Sequence, residues 1–221
     1  LEHDEQQALC ARWIENNTDV NSLAWHPYVT SLRIVNWIKL NIDIPAVTES
    51  LYRQASYLYS NTEFFHPGNH YLENARALMF AGLYYNRQEA ADQWWRKGLR
   101  ILEGEIDDQV LSDGGYFERS PMYHALMLEL VLDLYNILPE DSELHSALKN
   151  HACLMMPYLR NVTHPDGTVA LLNDSAIEIA PSTADLTDYY SALIGQPDKS
   201  SGIYPQTGHY SYRDNEMYLL I

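Results

Sequence analysis

The polar residues most able to take part in catalysis are concentrated in three short stretches that contain glycine. They occupy residues 66–70, 112–124 and 164–168, and they hold histidine, asparagine, aspartate, glutamate, arginine and tyrosine. Each stretch lies where a helical pattern of apolar residues begins or ends. In a barrel of helices such ends converge on one rim, so we expect these polar residues to line a common cleft.

Histidine is concentrated at the same kind of position. Six of the nine histidines lie in or beside a loop or an element end: His26, His66, His70, His124, His164 and His209. Histidine is also common at helix ends for structural reasons, so position alone assigns no role to any of them. His66 and His70 are four residues apart, but Pro67 and Gly68 break the helix that would align them as metal ligands. No third ligand is evident, and we predict neither a metal nor another cofactor.

The stretch 112–124 also carries two carboxylates, Asp113 and Glu118, five residues apart. Paired carboxylates are the groups that glycoside hydrolases use, so this pair supports a hydrolase as an alternative function. Glu118 and Arg119 have two interpretations. The one we favour is a buried ion pair that ties the loop to the helices. In the other, Arg119 contacts a substrate carboxylate through its bidentate geometry.

The elements that must position these residues are mainly helices. Apolar residues recur at helical spacing through most of residues 4–162. The predicted helices are 6–16, 28–42, 46–60, 69–85, 87–110, 122–138, 141–160 and 185–194. Short connections imply antiparallel neighbours. Residues 122–136 are apolar nearly all round, which is typical of the inner layer of a double-layered helical barrel.

The C-terminal part of the chain has a different character. Residues 1–195 form the predicted helical domain, and the polar residues 196–207 are predicted to be a linker. Residues 208–221 place aromatic and aliphatic side chains on both sides of a polar turn, which predicts a β-hairpin. We expect this to be the first hairpin of a truncated β domain. Its unpaired apolar edge would favour self-association.

Composition excludes several classes of partner. The chain has 221 residues and a formal net charge of −16, with 30 acidic against 14 basic residues. Nucleic acid is not an expected partner, because binding its phosphates needs a concentrated basic face. No apolar run is long enough to span a membrane. An acidic chain repels polyanions at long range, so an acidic substrate would have to be held by local groups in a cleft.

Two runs of sequence resemble the heparinase II/III and related alginate-lyase family. They are residues 68–78 (Gly-Asn-His-Tyr-Leu-Glu-Asn-Ala-Arg-Ala-Leu) and 113–124 (Asp-Gly-Gly-Tyr-Phe-Glu-Arg-Ser-Pro-Met-Tyr-His). Residues 26–28, 33–37, 165–167 and 172–175 also resemble segments of this family. The spacing of 54 residues between Asn69 and Tyr123 agrees with the family's arrangement. The resemblance implies an incomplete (α/α) toroid followed by an antiparallel β-sandwich.

The resemblance also implies β-elimination on an acidic, uronic-acid-containing polysaccharide. Asn69 and His70 would donate hydrogen bonds that neutralise the substrate carboxylate, and Tyr123 would serve as the acid or as both acid and base. Substrate contacts are expected from four further residues: Glu118, Arg119, His124 and Asn173. Family members carry another catalytic histidine or tyrosine on the β domain, so we expect the 221-residue chain alone to be inactive. The family suggests a periplasmic or secreted location, although no signal peptide is visible.

A third class of function stays open beside the lyase and the hydrolase. A chain with this fold could bind glycans or assist their assembly without turning them over. An unsaturated uronic end in the product, which absorbs in the near ultraviolet, distinguishes the lyase from both alternatives.

Overall fold

The computed structural model describes residues 3–42, 44–65, 68–199, 201–214 and 217–221. Within these residues the chain is mainly helical, as predicted, and ends in a small antiparallel sheet. The helices are α1 (His3–Asn16), α2 (Pro27–Lys39), α3 (Pro45–Ser60), α4 (Asn69–Tyr84), α5 (Glu89–Gln109), α6 (Pro121–Ile137), α7 (Glu143–Asn161) and α8 (Thr183–Leu193). The strands are β1 (Ile203–Tyr204), β2 (His209–Arg213) and β3 (Tyr218–Leu220).

Local sequence signals explain where most helices begin. Proline is the first residue of α2, α3 and α6, where its missing N–H costs no helical hydrogen bond. Serine side chains cap α6, α7 and α8 by accepting a backbone N–H of the first turn. The predicted helix 28–42 ends earlier than expected, at Lys39. Asn41 has a φ of 50°, a left-handed conformation that commonly terminates helices.

The chain forms two compact units, Leu1–Glu105 and Ile106–Ile221. In the first unit, α2 packs against α3 and α4, and α3 also packs against α1 and α4. Its core includes fully buried Ile34, Leu58, Leu72 and Leu78. In the second unit, α6 packs against α7 and α8. Most apolar residues of α6 are buried, and Leu126 and Ile137 are partly exposed, which agrees with its lack of a polar face.

The three strands form one sheet in the order β1–β2–β3. Tyr204 pairs with His209, and Arg213 pairs with Tyr218. Residues 208–221 therefore contain a hairpin, but β1 lies inside the range predicted as linker. That part of the prediction is wrong, because Asp113 draws residues 206 and 207 into hydrogen bonds and Tyr204 is buried.

No helix within the described residues combines the length and the apolar character needed to cross a membrane. The same part of the chain contains two free cysteines, Cys10 and Cys153.

Candidate active site

The seven residues predicted from the sequence divide between the two units. Asn69 and His70 belong to the first unit, and the other five belong to the second: Glu118, Arg119, Tyr123, His124 and Asn173.

Asn69 and His70 are the first two residues of α4, and both are partly exposed. Gly68 precedes the helix with a φ of 146°, a conformation that residues with a side chain rarely adopt. The first N–H groups of a helix have no partner within the helix, and the positive end of the helix dipole lies at the same terminus. A carboxylate beside Asn69 would therefore meet favourable electrostatics.

His70 is anchored by the carboxylate of Glu63, which no motif in the sequence marks. Its Nδ1 lies 3.0 Å from Oε1 of Glu63, whose side chain is 10% exposed against 38% for His70. The ring of Tyr28 stacks on the His70 ring at a centroid distance of 4.0 Å and an interplanar angle of 12°. Glu63 and Tyr28 thus fix both the rotation and the position of the imidazole.

Glu63 is itself held by its surroundings. Its backbone N–H donates to Oδ1 of Asn74 at 2.8 Å, and Nδ2 of Asn74 lies 3.3 Å from Oε2 of Glu63. Asn74 is fully buried and also donates to the hydroxyl of Ser31 at 3.0 Å. His26 approaches the same carboxylate, with Nε2 3.7 Å from Oε1. This network places the carboxylate before any substrate arrives.

The contact with Glu63 decides which hydrogen bonds His70 can make. An ionised carboxylate only accepts hydrogen bonds, so Nδ1 of His70 carries the proton that faces Glu63. The other nitrogen, Nε2, then accepts a hydrogen bond when the ring is neutral and donates one when the ring is protonated. The predicted donation from Nε2 of His70 to a substrate carboxylate therefore requires a ring that carries a proton on both nitrogens.

Tyr123 is in the first turn of α6 and is partly buried. Its backbone N–H donates to the hydroxyl of Ser120, the capping residue, at 3.4 Å. The hydroxyl of Ser175 lies 2.8 Å from that of Ser120 and accepts the backbone N–H of Met122 at 3.2 Å. The loop that follows α7 therefore braces the start of α6 and fixes the backbone that carries the Tyr123 side chain.

Asn173 reaches the same turn from the other side. Its Nδ2 donates to the backbone carbonyl of Arg119 at 3.2 Å. Both residues have positive φ, 45° for Asn173 and 60° for Arg119. Conformations of this kind persist only where the surroundings stabilise them. The structure thus gives Asn173 a contact with the protein itself, beside its predicted contact with substrate.

Two expectations from the sequence need correction. His124 is 1% exposed, so its predicted contact with substrate is wrong. Its ring packs against Tyr158, and its Nε2 donates to the carbonyl of Met155 at 3.0 Å. Burial lowers the pKa of His124 to about 4, and the opposing effects of the Met155 carbonyl and of Asp113 are smaller. His124 is a neutral core residue.

The buried ion pair between Glu118 and Arg119 is also wrong. Both residues are exposed. The backbone N–H of Arg119 donates to the carbonyl of Tyr116 at 2.9 Å, which makes 116–119 a tight turn with its middle residues pointing to solvent. Exposure leaves Glu118 and Arg119 accessible to a substrate.

Asp113 has a structural role. It accepts hydrogen bonds from the backbone N–H groups of Gln206 and Thr207 and from the hydroxyl of Thr207, each at 2.8 Å, and from the N–H of Gly115 at 3.2 Å. Burial alone would raise the pKa of Asp113, but the hydrogen bonds from Thr207, Gly115 and Gln206 outweigh it and lower the pKa. A carboxylate of low pKa whose oxygens are occupied is a poor general acid.

His209 is buried in the second unit, like His124. Nδ1 of His209 lies 2.7 Å from the hydroxyl of Tyr158, which in turn packs on His124. Burial and then the charge of Arg119 lower the pKa of His209. His209 was visible in the sequence only as a histidine near an element end, and Tyr158 only as a residue within the predicted helix 141–160.

The residues described by the structure include no group of three His, Cys, Asp or Glu side chains arranged to hold a metal ion. His66, which was considered with His70 as a metal ligand, lies outside those residues.

Comparison with known families identifies residues 11–197 as matching the model of the heparinase II/III N-terminus. A heparin-sulfate lyase of Pedobacter heparinus is 28% identical over 173 residues, which cover 72% of this chain and 26% of that protein. A heparin-sulfate lyase of Bacteroides thetaiotaomicron is 25% identical, with 91% of this chain and 35% of that protein covered. The chain thus spans between a quarter and about a third of the length of these curated relatives.

Solved structures agree in fold. A crystal structure of heparinase III superimposes with a TM-score of 0.66 at 23% identity and covers 87% of this chain and 34% of that one. A mutant of a heparan sulfate lyase from Pedobacter heparinus gives a TM-score of 0.65 at 20% identity and covers 99% of this chain and 40% of that one. At these identities the likeness shows the fold alone.

Proposed function

The chain belongs to the heparinase II/III N-terminus family, and on that premise we propose that it is the helical part of a polysaccharide lyase. The reaction is β-elimination on a polysaccharide that contains uronic acid. Support comes from the relatives described as heparin-sulfate lyases and from the anchored histidine at the start of α4. The anchoring of His70 by Glu63 is the observation that carries the proposal.

The chemistry sets what the site has to supply. A base removes the proton on C5 of the uronate, the electron pair forms a double bond between C4 and C5, and the bond from C4 to the glycosidic oxygen breaks. The leaving oxygen takes a proton from an acid. The C5 proton is very weakly acidic, so the neighbouring carboxylate must be neutralised as negative charge builds on it.

We assign neutralisation of the carboxylate to Asn69 and His70. Asn69 donates from its side-chain amide, and the imidazolium of His70 donates from Nε2. Glu63 holds His70 through Nδ1 and keeps Nε2 available to the substrate. Preorganised donors of this kind are worth on the order of 3 kcal/mol each in other enzymes.

Tyr123 is proposed as the acid, or as both acid and base. A phenolic hydroxyl can donate its proton to a leaving glycosidic oxygen. As a base it would need a nearby cation, and Arg119 is the accessible cation on the preceding turn, because His124 is buried and neutral. Arg119, Glu118 and Asn173 remain proposed substrate contacts.

The finer architecture is part of the same proposal. The helices would form an incomplete (α/α) toroid over residues 1–195, and the sheet would begin an antiparallel β-sandwich. Because β1 already lies within 203–204, the β part starts earlier than residue 208. Self-association through the edge of this sheet and a periplasmic or secreted location are also part of the proposal.

The hydrolase alternative loses one of its two carboxylates. Each oxygen of Asp113 accepts two hydrogen bonds within the second unit, which leaves this carboxylate poorly suited to act beside Glu118 as either acid or base. A non-catalytic glycan-binding protein remains the second candidate, since the polar residues that would contact a sugar are present in either case.

The experiment that tests the proposal is an ultraviolet screen of product formation against alginate, hyaluronan and heparan sulfate. It uses this chain in a protein with a complete β domain. The net charge of −16 favours a polymer with little or no sulfate. Unsaturated uronic ends support the lyase, reducing ends without ultraviolet absorption support a hydrolase, and binding without either product supports the glycan-binding protein.

A further inference from the structure

A cavity of about 380 Å³ lies in the second unit between the end of α7 and the start of the sheet. Three cations line it: Arg160 at the end of α7, Lys199 before β1, and Arg213 at the end of β2. Among the described residues that line the cavity there is no carboxylate. In a chain with 30 acidic and only 14 basic residues, this concentration of positive charge is a local exception. We call it the basic cavity.

The wall of the basic cavity is built by contacts within the protein. The Arg213 guanidinium donates through Nη2 to the carbonyl of Thr163 and stacks over the ring of Tyr218, 4.7 Å from its centroid. The hydroxyl of Ser211 donates to Oδ1 of Asn161. These contacts, with a side-chain hydrogen bond between Arg213 and Tyr218, fix one guanidinium in place and use part of its set of donors. A guanidinium has five N–H donors, so others can serve a ligand.

The remaining polar groups suit a sugar. Asn161, Ser201 and Ser211 line the cavity beside the three cations and offer amide and hydroxyl groups. The nearby carboxylate of Asp214 accepts the hydroxyl of Tyr212 at 2.9 Å and the N–H of Met217 at 2.8 Å. An anionic sugar would thus meet fixed positive charge and neutral hydrogen-bonding groups together.

The position of the basic cavity connects it with Tyr123. The start of α6 lies beside the last turns of α7, because His124 contacts the carbonyl of Met155 and the ring of Tyr158. Arg160 follows Tyr158 by two residues, about 3 Å further along the helix axis. The basic cavity is therefore at the same end of the α6–α7 pair as Tyr123.

We propose that the basic cavity is a binding subsite for an acidic sugar residue of the polysaccharide, with Arg160, Lys199 and Arg213 holding its anionic group. The proposal rests on the proposed lyase function and deepens it. It explains how a chain of net charge −16 binds a polyanion, because attraction is confined to one concave site. The anionic group is an oxyanion, either the carboxylate of a uronate or a sulfate ester on the sugar.

The test is calorimetric titration of the 221-residue chain at low ionic strength with three tetrasaccharides: hyaluronan, heparan sulfate and neutral cellotetraose. Arg160→Gln with Lys199→Gln removes two cations of the basic cavity. The matched control is Arg96→Gln with Lys149→Gln, which removes the same charges from exposed helix positions. Thermal unfolding of both double variants checks that the fold is kept.

We expect the cavity variant to weaken binding of an acidic tetrasaccharide at least tenfold, because the loss of one hydrogen bond to a charged group lowers affinity by about that factor. The control should weaken binding less than twofold. Binding of both acidic probes identifies the carboxylate as the recognised group, and binding of heparan sulfate alone identifies sulfate. Equal weakening by the two variants, equal binding of cellotetraose, or no binding would each overturn the subsite.

Turnover plays no part in this measurement, so the two proposals fail separately. If the binding measurement refutes the subsite, the elimination assay still tests the lyase independently. Absence of elimination in every form of the protein would remove the lyase while leaving an acidic-glycan site in place.

Discussion

Replacing His124 by glutamine is expected to change how the stability of the chain depends on pH. Burial holds the pKa of His124 at about 4 in the folded chain, against about 6.5 in the unfolded chain. Between these values the unfolded state binds more protons than the folded state, so stability falls as the pH falls. Linkage gives a loss of about 2 kcal/mol between pH 7 and pH 5, and about 3 kcal/mol once the pH reaches the folded pKa.

Urea unfolding followed by circular dichroism at pH 7 and at pH 5 measures this effect. His124→Gln keeps a donor for the Met155 carbonyl but has no proton to gain, so most of the 2 kcal/mol difference should vanish. The lowered pKa of His209 acts in the same direction and leaves a smaller dependence. His3→Gln, at an exposed position, is the matched control. The same pH dependence in His124→Gln as in the unchanged chain would refute the assignment of His124 to the core.

Glu63→Ala should release the His70 ring, because it removes the carboxylate that contacts Nδ1. NMR of the neutral imidazole should then find both tautomers, whereas in the unchanged chain the proton should be on Nδ1. An unaltered spectrum would contradict the anchoring. Asp113→Ala should lower the free energy of unfolding by at least about 2 kcal/mol, because it removes the acceptor of four hydrogen bonds; a loss no greater than that of the exposed control Asp108→Ala would count against it. Asn173→Ala should reduce turnover about tenfold in an active form of the protein, because it removes the hydrogen bond that holds the Arg119 turn, and one such bond corresponds to about that rate factor. Unchanged kinetics would show that the turn keeps its shape without this hydrogen bond.

Helices were predictable because the signals that begin them are local. Gly68 before α4 and Pro121 at the start of α6 mark the two helix ends that carry the proposed catalytic residues, and both helices begin within a residue or so of the predicted position. The all-apolar character of α6 likewise predicted its burial. These features depend on neighbours three or four residues away, which a sequence displays directly.

Contacts across breaks in the pattern were not predictable. Glu63 reaches His70 over the interruption at 66–68, where no helical spacing relates the two residues. Asp113 organises residues 206 and 207 from more than ninety positions away, so the strand β1 looked like a linker. His124 and Tyr123 are adjacent in sequence, and only packing decides that one is buried while the other is partly exposed.

The most direct test of the proposed lyase is elimination by a protein that carries this chain with a complete β domain. Tyr123→Phe removes only the phenolic hydroxyl, and Tyr135→Phe makes the same change further along α6. We expect ultraviolet absorption from unsaturated uronic ends with the unchanged protein and with Tyr135→Phe. With Tyr123→Phe the rate of this absorption change should fall at least a hundredfold, in the range typical of lost acid–base catalysis. Full elimination by Tyr123→Phe would contradict this expectation.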